Sequence, residues 1–388
     1  MTLLQRYIFR AVVFAGVASV GLFVFVLLVG NVLREILGHL ASGRLSLALF
    51  LELLYLLIPY VVSYALPLGL LTGILIVLGR MSARGEIIAM RSVGISLWST
   101  AAPIFAVVLI GIAVAAFINN YQAPNAKTKF RTLLAEAVRE DPLRFVVPRV
   151  FVKDFPGYVL YVGAKNENSL RGVWIWELDE DGRVIRLHRA AKGSLRYDPG
   201  EEQLVLTLSE GYSEMRNEND PDDLQSIRPT LSFREAPRIR FPLDGYFGKK
   251  RTRISYSSLN LDQLRERIQK ESKRLEEMPA DAAASLERQV IEKDIVRSRL
   301  QIQKNFAMAF SVLSLAIVGI PLGIRVGRKE THANIAIALA LAMVYYFLIV
   351  VLGWLEKHPE WRPDLLVWTP NLIFQGVGVL MLVLAARK

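Results

Sequence analysis

Two apolar blocks flank a polar middle. Six runs approach or exceed the roughly 20 apolar residues needed to cross a bilayer. They fall at about 11–33, 47–79 and 97–119 in the first block, and about 305–325, 332–354 and 366–386 in the second. The first run, Ala11 to Gly30, is too long for the apolar region of a signal peptide, and no small-x-small cleavage signal precedes Asn31, so a retained helix is expected. The second contains Pro59 and Pro67, each of which removes a backbone donor and tends to kink a helix. From Leu47 to Gly79 it is longer than a bilayer core and has to tilt, bend or project beyond it.

Between the blocks the period changes. Phe145 to Phe155, Tyr158 to Gly163, Gly172 to Leu178, Val184 to Arg189, Gln203 to Ser209 and Leu231 to Phe241 read as strands of alternating or wholly apolar character. Turn signals such as Phe155-Pro156-Gly157, Asp181-Gly182 and Asp198-Pro199-Gly200 separate them. Short, closely spaced strands with no intervening helical pattern predict a sandwich or jelly roll. From Ser258 to about Gln303 the texture becomes Glu-, Arg-, Lys- and Gln-rich, with Leu261, Leu264, Ile268 and Leu275 at helical spacing. Pro279 divides this stretch into two helices, the second leading into the fourth apolar run. No repeat of 20–50 residues is visible, and the two blocks do not read as a duplication.

Of the 388 residues 53% are apolar, which together with the runs makes this a membrane protein. The net charge of +11 would raise the question of nucleic acid in a soluble chain, so its location matters. Residues 121–303 carry 32 Lys/Arg and 29 Asp/Glu, and the rest of the surplus clusters at the ends of the apolar runs. Basic residues in short connections are retained on the cytoplasmic side. With the N-terminus inside, that side receives Arg6, Arg10, Arg80, Arg84, Arg91, Arg325, Arg328, Lys329, Arg387 and Lys388, against Arg34, Arg44, Lys357 and Arg362 opposite. Both termini are therefore expected in the cytoplasm and the polar middle outside. The absence of cysteine excludes disulfides, thiol catalysis and Cys-ligated metals.

Catalytic and nucleotide signatures are missing. The chain has no G-x-x-x-x-G-K-[ST], no H-E-x-x-H and no G-x-S-x-G, and its four histidines, His39, His188, His332 and His358, are scattered. The informative stretch is LGRMSARGEIIAMRSVGIS at 78–96, on the cytoplasmic side by the charge count. On a helix, Ile87, Met90 and Val93 or Gly94 share one face, with Arg84, Glu86 and Arg91 on others. Such a segment can lie in the headgroup layer with its arginines on anionic lipid, or fit a groove on a cytoplasmic partner. Glu86 favours the groove, because a carboxylate gains nothing from anionic lipid.

These residues carry a resemblance. Leu4-Gln5-Arg6-Tyr7-Ile8 at the start, Leu66-Pro67-Leu68-Gly69, the 78–96 stretch and Gly319-Ile320-Pro321-Leu322-Gly323-Ile324 resemble, in order and spacing, the lipopolysaccharide-export permeases. These are the paired F and G membrane subunits (LptF/LptG) of the exporter that moves lipopolysaccharide from the inner to the outer membrane. The resemblance implies a membrane α-helical fold with six transmembrane helices, arranged 3+3, and an inserted all-β periplasmic jelly roll. The implied domains are a first transmembrane block at 1–120, the jelly roll at 121–257, connecting helices at 258–303 and a second transmembrane block at 304–388. It further implies a coupling helix at about 82–94, in which Arg84, Glu86, Ile87, Met90 and Arg91 meet a groove of a separate cytoplasmic ABC ATPase dimer. ATP and Mg then belong to that ATPase, and no catalytic residue, metal or cofactor is expected on this chain. The other implied partners are a paralogous six-helix permease subunit, periplasmic bridge proteins and lipopolysaccharide itself, with no nucleic acid. The implied location is the bacterial inner membrane.

The chain departs from the family before the fourth run. There the family commonly shows Glu, His, Arg and Pro, whereas this sequence has Gln301, Gln303, Asn305 and Ala309, with Lys304 the only charge. An anionic cargo needs cations at the outer rim of its cavity, and Arg34 and Lys304 stand at the expected depth for substrate contact; both also suit ordinary snorkelling at helix ends. Two rival classes stay open. ABC subunits that release lipoproteins usually have four spans, with the large domain after the first. A membrane-anchored enzyme would need convergent acid, base or metal groups.

Overall fold

The computed structural model describes residues 2–32, 46–140, 146–152, 155, 157–166, 169–179, 183–198, 203–216, 228–235, 239–242, 255–277, 285–326, 331–353 and 362–387. The chain divides into two compact units, one of residues 1–34, 54–128 and 255–388, the other of residues 35–53 and 129–254.

The first unit is helical. Helix α1 (Leu3–Leu27) starts at a capping box in which Thr2 and Gln5 satisfy each other's backbone N–H groups. It ends in a π-helical turn, Leu28–Val32. Helix α2 (Leu47–Ala83) runs unbroken through Pro59 and Pro67, and Ser63 donates to the Pro59 carbonyl. A seven-residue helix, α3 (Glu86–Ser92), leads to α4 (Leu97–Phe117), capped by Ser96. After a second π-helical turn, Ile118–Gln122, the chain continues as α5 (Ala123–Glu140). The later helices are α6 (Leu261–Glu277), α7 (Ser285–Val326), α8 (Thr331–Gly353), the short α9 (Pro363–Leu366) and α10 (Thr369–Arg387).

Among the described residues five helical segments are long and apolar enough to cross a membrane: Leu3–Gly30, Leu47–Ala83, Leu97–Leu134, Glu287–Ile324 and Pro363–Ala386. The fifth of the six expected runs falls on α8, whose apolar part, Ala336–Leu352, is shorter. Large apolar side chains face outward on α1 (Phe14, Leu22, Phe25), α8 (Met343, Phe347) and α10 (Leu372, Leu380), as lipid-facing surfaces require.

Small residues let these helices meet closely. A β-carbon on Gly73 would lie 2.6 Å from the Gly16 backbone nitrogen, and one on Gly69 2.5 Å from that of Val20, so the Gly69-x-x-x-Gly73 stripe of α2 seats α1 backbone to backbone. The core so formed includes Ile8, Val12, Leu70, Ile74, Ile104, Val108, Val312 and Ile320. Polar side chains fasten the second half. Asn371 of α10 donates to the Ala307 carbonyl, and its Oδ1 accepts from Ser314 at 2.7 Å and Tyr345 at 2.9 Å, joining α7, α8 and α10 through a buried network. Outside the apolar part, Arg267 grips Asp294 through two hydrogen bonds, of 2.6 and 3.0 Å, and Tyr256 donates to the same carboxylate, holding α6 against α7.

The second unit contains the strands β1 (Phe151–Val152), β2 (Tyr158–Asn166), β3 (Ser169–Leu178), β4 (Val184–Asp198), β5 (Gln203–Met215), β6 (Arg228–Glu235) and β7 (Ile239–Pro242). The described strands form one antiparallel sheet in the order β1-β2-β3-β4-β5-β6, with β7 returning to β5. This next-neighbour meander differs from the two sheets with Greek-key crossings that define a jelly roll. The sequence boundaries also shift. Residues 123–140, expected in the β domain, are helical, and the strand expected at 231–241 is divided between β6 and β7.

One sheet encloses a core because it is creased. Between every adjacent pair from β2 to β6 the pairing lapses along one row, through Gly163, Gly172, Ala191, Glu210 and Arg234. Backbone φ is +64° at Gly172 and +57° at Glu210. Because strand side chains alternate with period 2, one residue out of the extended form exchanges the two faces. On β4 the buried residues are accordingly His188 and Ala190 before the crease and Gly193 and Leu195 after it. Both lobes thus feed one cluster, with Leu160, Val162, Val173 and Ile175 from one and Leu170, Leu195, Leu204, Leu206 and Leu208 from the other.

Candidate functional site

Two places in the helical unit hold the residues singled out in the sequence. The first is the connection between α2 and α4. Gly85 (φ +73°) and Gly94 (φ +83°) bracket α3 in the left-handed region that ends a helix at no steric cost to glycine. Ser82 donates to the Ile324 carbonyl at 2.7 Å and Arg91 to the Ala385 carbonyl at 3.0 Å, tying the connection to the ends of α7 and α10. Glu86 opens α3, where a carboxylate complements the helix dipole, and its Oε1 lies 4.0 Å from Arg84.

The sequence placed Ile87 and Met90 on an outward apolar face; the structure turns both inward. They are buried in the bundle core beside Ile8, Met81 and Leu382 and anchor α3 to its own chain. The outward apolar residues are Ile88, 65% exposed, and Val93, 75% exposed, flanked by the exposed Arg84 and Arg91. Sequence reasoning passed over Ile88, although Ile88 and Arg91 fall at i and i+3 on α3, the spacing of one helix face.

The second place is a pocket of about 260 Å³ between α2, the π-helical turn after α4 and α7. Lys304 lines it, as do Lys127, Tyr60, Tyr64, Asn119 and Asn305. Arg34, the other expected substrate contact, lies outside the described residues. Lys127 had no sequence signal beyond its place just after an apolar run, and Asn119 and Asn120 are buried polar residues that the apolar pattern passes over. Among the described residues, no group of three or more His, Asp or Glu is placed to hold a metal.

The family model described as lipopolysaccharide export system permease LptF/LptG matches residues 6–384, spanning the helices, the creased sheet and the connecting α6 and α7. The chain belongs to the LptF/LptG permease family. It is 21% identical over 380 residues to the lipopolysaccharide export system permease protein LptF of Escherichia coli K12, covering 97% of this chain and 93% of that one. It is 23% identical over 181 residues to LptG of the same organism (46% and 49% covered) and 23% identical over 141 residues to LptG of Haemophilus influenzae (36% and 39%). In this member of the LptF/LptG family the resemblance motifs have packing roles. Gly69 seats α2 on α1, while Gly319 and Gly323 bring α7 against Leu71 and Leu78 of α2.

Proposed function

We propose that this chain is a transmembrane permease subunit that extracts lipopolysaccharide from the inner membrane and passes it to a periplasmic bridge leading toward the outer membrane. The observation that carries this reading is the family match over residues 6–384, which takes in bundle and sheet together. All six apolar runs span the bilayer, α8 included; both termini are cytoplasmic, in line with the basic residues of the short connections. A paralogous six-helix subunit completes the cargo cavity. The creased sheet stands in the periplasm in the place of the family's jelly roll, its apolar interior of Leu, Val and Ile suited to acyl chains.

Energy comes from a separate cytoplasmic ABC ATPase dimer, which holds ATP and Mg. Arg84, Glu86, Ile88 and Arg91 are the surface it grips, and Ile87 and Met90 carry the motion into the core that α3 shares with α1, α2 and α10. Hydrogen bonds from Ser82, at the end of α2, to α7 and from Arg91 of α3 to α10 give this end of the bundle a hold on the second block. A second reading has support in the exposed Ile88, Val93 and Trp98 beside two arginines, a composition that also suits the headgroup layer.

The test is gentle purification of the full chain from bacterial membranes. An ABC ATPase and a second six-helix permease should copurify, and the assembly should release lipopolysaccharide when ATP is added. Recovery of the chain with neither protein contradicts the proposal.

A further inference from the structure

The outward face of the sheet carries a row of aromatic side chains that the apolar interior does not use. Strand register sets Phe151 of β1 opposite Tyr161 of β2, Tyr161 opposite Trp174 of β3, Trp174 opposite Arg189 of β4, and Arg189 opposite Tyr212 of β5. Along β2 and β3 the residues on either side of the row, Leu160, Val162, Val173 and Ile175, are fully buried, so the period-2 alternation turns the row itself outward. Neighbouring strands lie about 4.8 Å apart, which makes the row about 19 Å long. Trp176 stands beside it, with ring centroids 5.7 Å from Phe151 and 5.8 Å from Trp174.

The row is paved without gaps. The rings of Phe151 and Tyr161 have centroids 5.1 Å apart and are tilted by 41°. The Arg189 guanidinium lies 4.3 Å over the Trp174 ring and donates to the Tyr212 hydroxyl at 3.2 Å, which fills the space between those two rings. A proline-rich peptide docks in grooves between aromatic rings, and this surface has its gap closed by Arg189. An anionic membrane or a phosphorylated sugar draws on a surplus of positive charge. Here Arg189 shares its face with Glu214, two residues beyond Tyr212 on β5, and Lys192 near the crease is paired with Glu210 at 2.7 Å. A flat aromatic surface of balanced charge, with a donor and an acceptor at one end, suits uncharged sugar rings. A β-1,4-linked pyranose carries its hydroxyls around the rim and presents C–H bonds on both faces, so the faces lie on aromatic rings while the rim makes hydrogen bonds.

We propose that this row is a binding platform for a linear β-1,4-linked glycan of N-acetylated sugars, the chemistry of a cell-wall polymer. Sugar rings lie along Phe151, Tyr161, Trp174 and Tyr212, Arg189 donates to an acetamido carbonyl, and Glu214 accepts from an amide N–H or a hydroxyl. A row that runs from the edge strand β1 to β5 is longer than one sugar ring and calls for a chain of them. The platform is on the face of the sheet opposite the cluster of Leu160, Val162, Val173 and Ile175, so it holds the protein to a fixed polymer and takes no part in carrying acyl chains. Only the placement of the sheet outside the membrane rests on the export reading.

The experiment uses the full chain in phosphatidylcholine nanodiscs, titrated by calorimetry with the β-1,4-linked hexamer and dimer of N-acetylglucosamine. The hexamer should bind more tightly than the dimer. Trp174→Ala should weaken hexamer binding about tenfold, while Trp174→Tyr keeps most of it. Phe151→Ala, at a position 58% exposed, shortens the row without entering the core; it should weaken the hexamer, leave the dimer unchanged and unfold like the wild type. Unchanged hexamer binding in both Trp174→Ala and Phe151→Ala overturns the proposal, as does a wild type that binds no hexamer. A Trp174-dependent preference for a proline-rich peptide, for phosphatidylglycerol vesicles or for the sugar portion of lipopolysaccharide over the hexamer also overturns it, and gives the row to a protein, a membrane or the cargo. Neither ATPase nor cargo takes part in the hexamer titration, so its failure leaves the export reading standing, and failure of that reading leaves the glycan result intact.

Discussion

The Arg91 guanidinium donates to the Ala385 carbonyl at 3.0 Å, fastening the seven-residue α3 to the last turns of α10, while Ile87 and Met90 of the same helix are buried in the bundle core. Helix α3 therefore has an inner face that belongs to the bundle and an outer face available to something else. Substitutions on the two faces should separate. Ile87→Ala removes a side chain that is 4% exposed and should lower stability by about 2–4 kcal/mol, read as an earlier thermal unfolding midpoint in detergent. Ile88→Ala, at a site 65% exposed, should stay within about 0.5 kcal/mol of the wild type yet reduce recovery of the ATPase. Equal destabilisation by the two would refute the assignment of faces.

The seat of α1 on α2 admits no side chain at Gly73. With a β-carbon there only 2.6 Å from the Gly16 backbone nitrogen, Gly73→Leu has to push the helices apart. The cost should reach about 1–3 kcal/mol or more, visible as a lower unfolding midpoint of the full chain. Gly376→Leu, where an added β-carbon meets nothing within 4 Å, is the control and should unfold like the wild type.

The crease makes its own demand. Gly172 holds φ at +64° in the row where the sheet exchanges its faces. Gly172→Val should cost about 1–3 kcal/mol, and Gly172→Asn, which tolerates the left-handed region, distinctly less. Hydrogen exchange across β2 and β3 is the measurement, and equal protection in the two variants would count against a strained crease.

His188 provides a pH signature for the sheet. Burial, reinforced by the Arg186 charge, lowers its pKa from 6.5 to about 4, and its Nδ1 lies 2.6 Å from Ser213 Oγ. The folded state thus holds it neutral where the unfolded chain takes up a proton. This contribution to stability is present above pH 6.5 and is lost as pH falls from 6.5 towards 4. His188→Gln should therefore show a smaller fall in unfolding midpoint between pH 7 and pH 4.5 than the wild type. An identical fall would show that the imidazole is not held neutral.

Much of this architecture is legible in the sequence, because apolar runs and period-2 strands are local signals. Five of the six expected spans and most of the strands follow from them, while the break expected at Pro279 lies outside the described residues. The orientation of α3 does not, since Ile87 and Ile88 are chemically equivalent and only packing into a core that includes Ile8 and Leu382, far off in sequence, decides which is inside. Sheet connectivity likewise depends on pairings between distant residues, and the crease on backbone angles at Gly172 and Glu210 that composition does not encode. The pocket stayed hidden because Lys127, Asn119 and Lys304 converge only once α5 and the π-helical turn before it have packed against α2 and α7.

The account turns on Glu86, the half-buried carboxylate that opens α3. Loss of one member of a buried interfacial charge pair costs on the order of 2–5 kcal/mol, and much less at a wet rim. A lysine in its place would repel a basic groove but strengthen attachment to an anionic lipid surface. The decisive measurement is ATPase copurification together with ATP-driven lipopolysaccharide release for the wild type, Glu86→Ala and Glu86→Lys. The expected result is a graded loss in both assays, worst for Glu86→Lys, with membrane insertion unchanged; wild-type behaviour of Glu86→Lys in both would contradict the account.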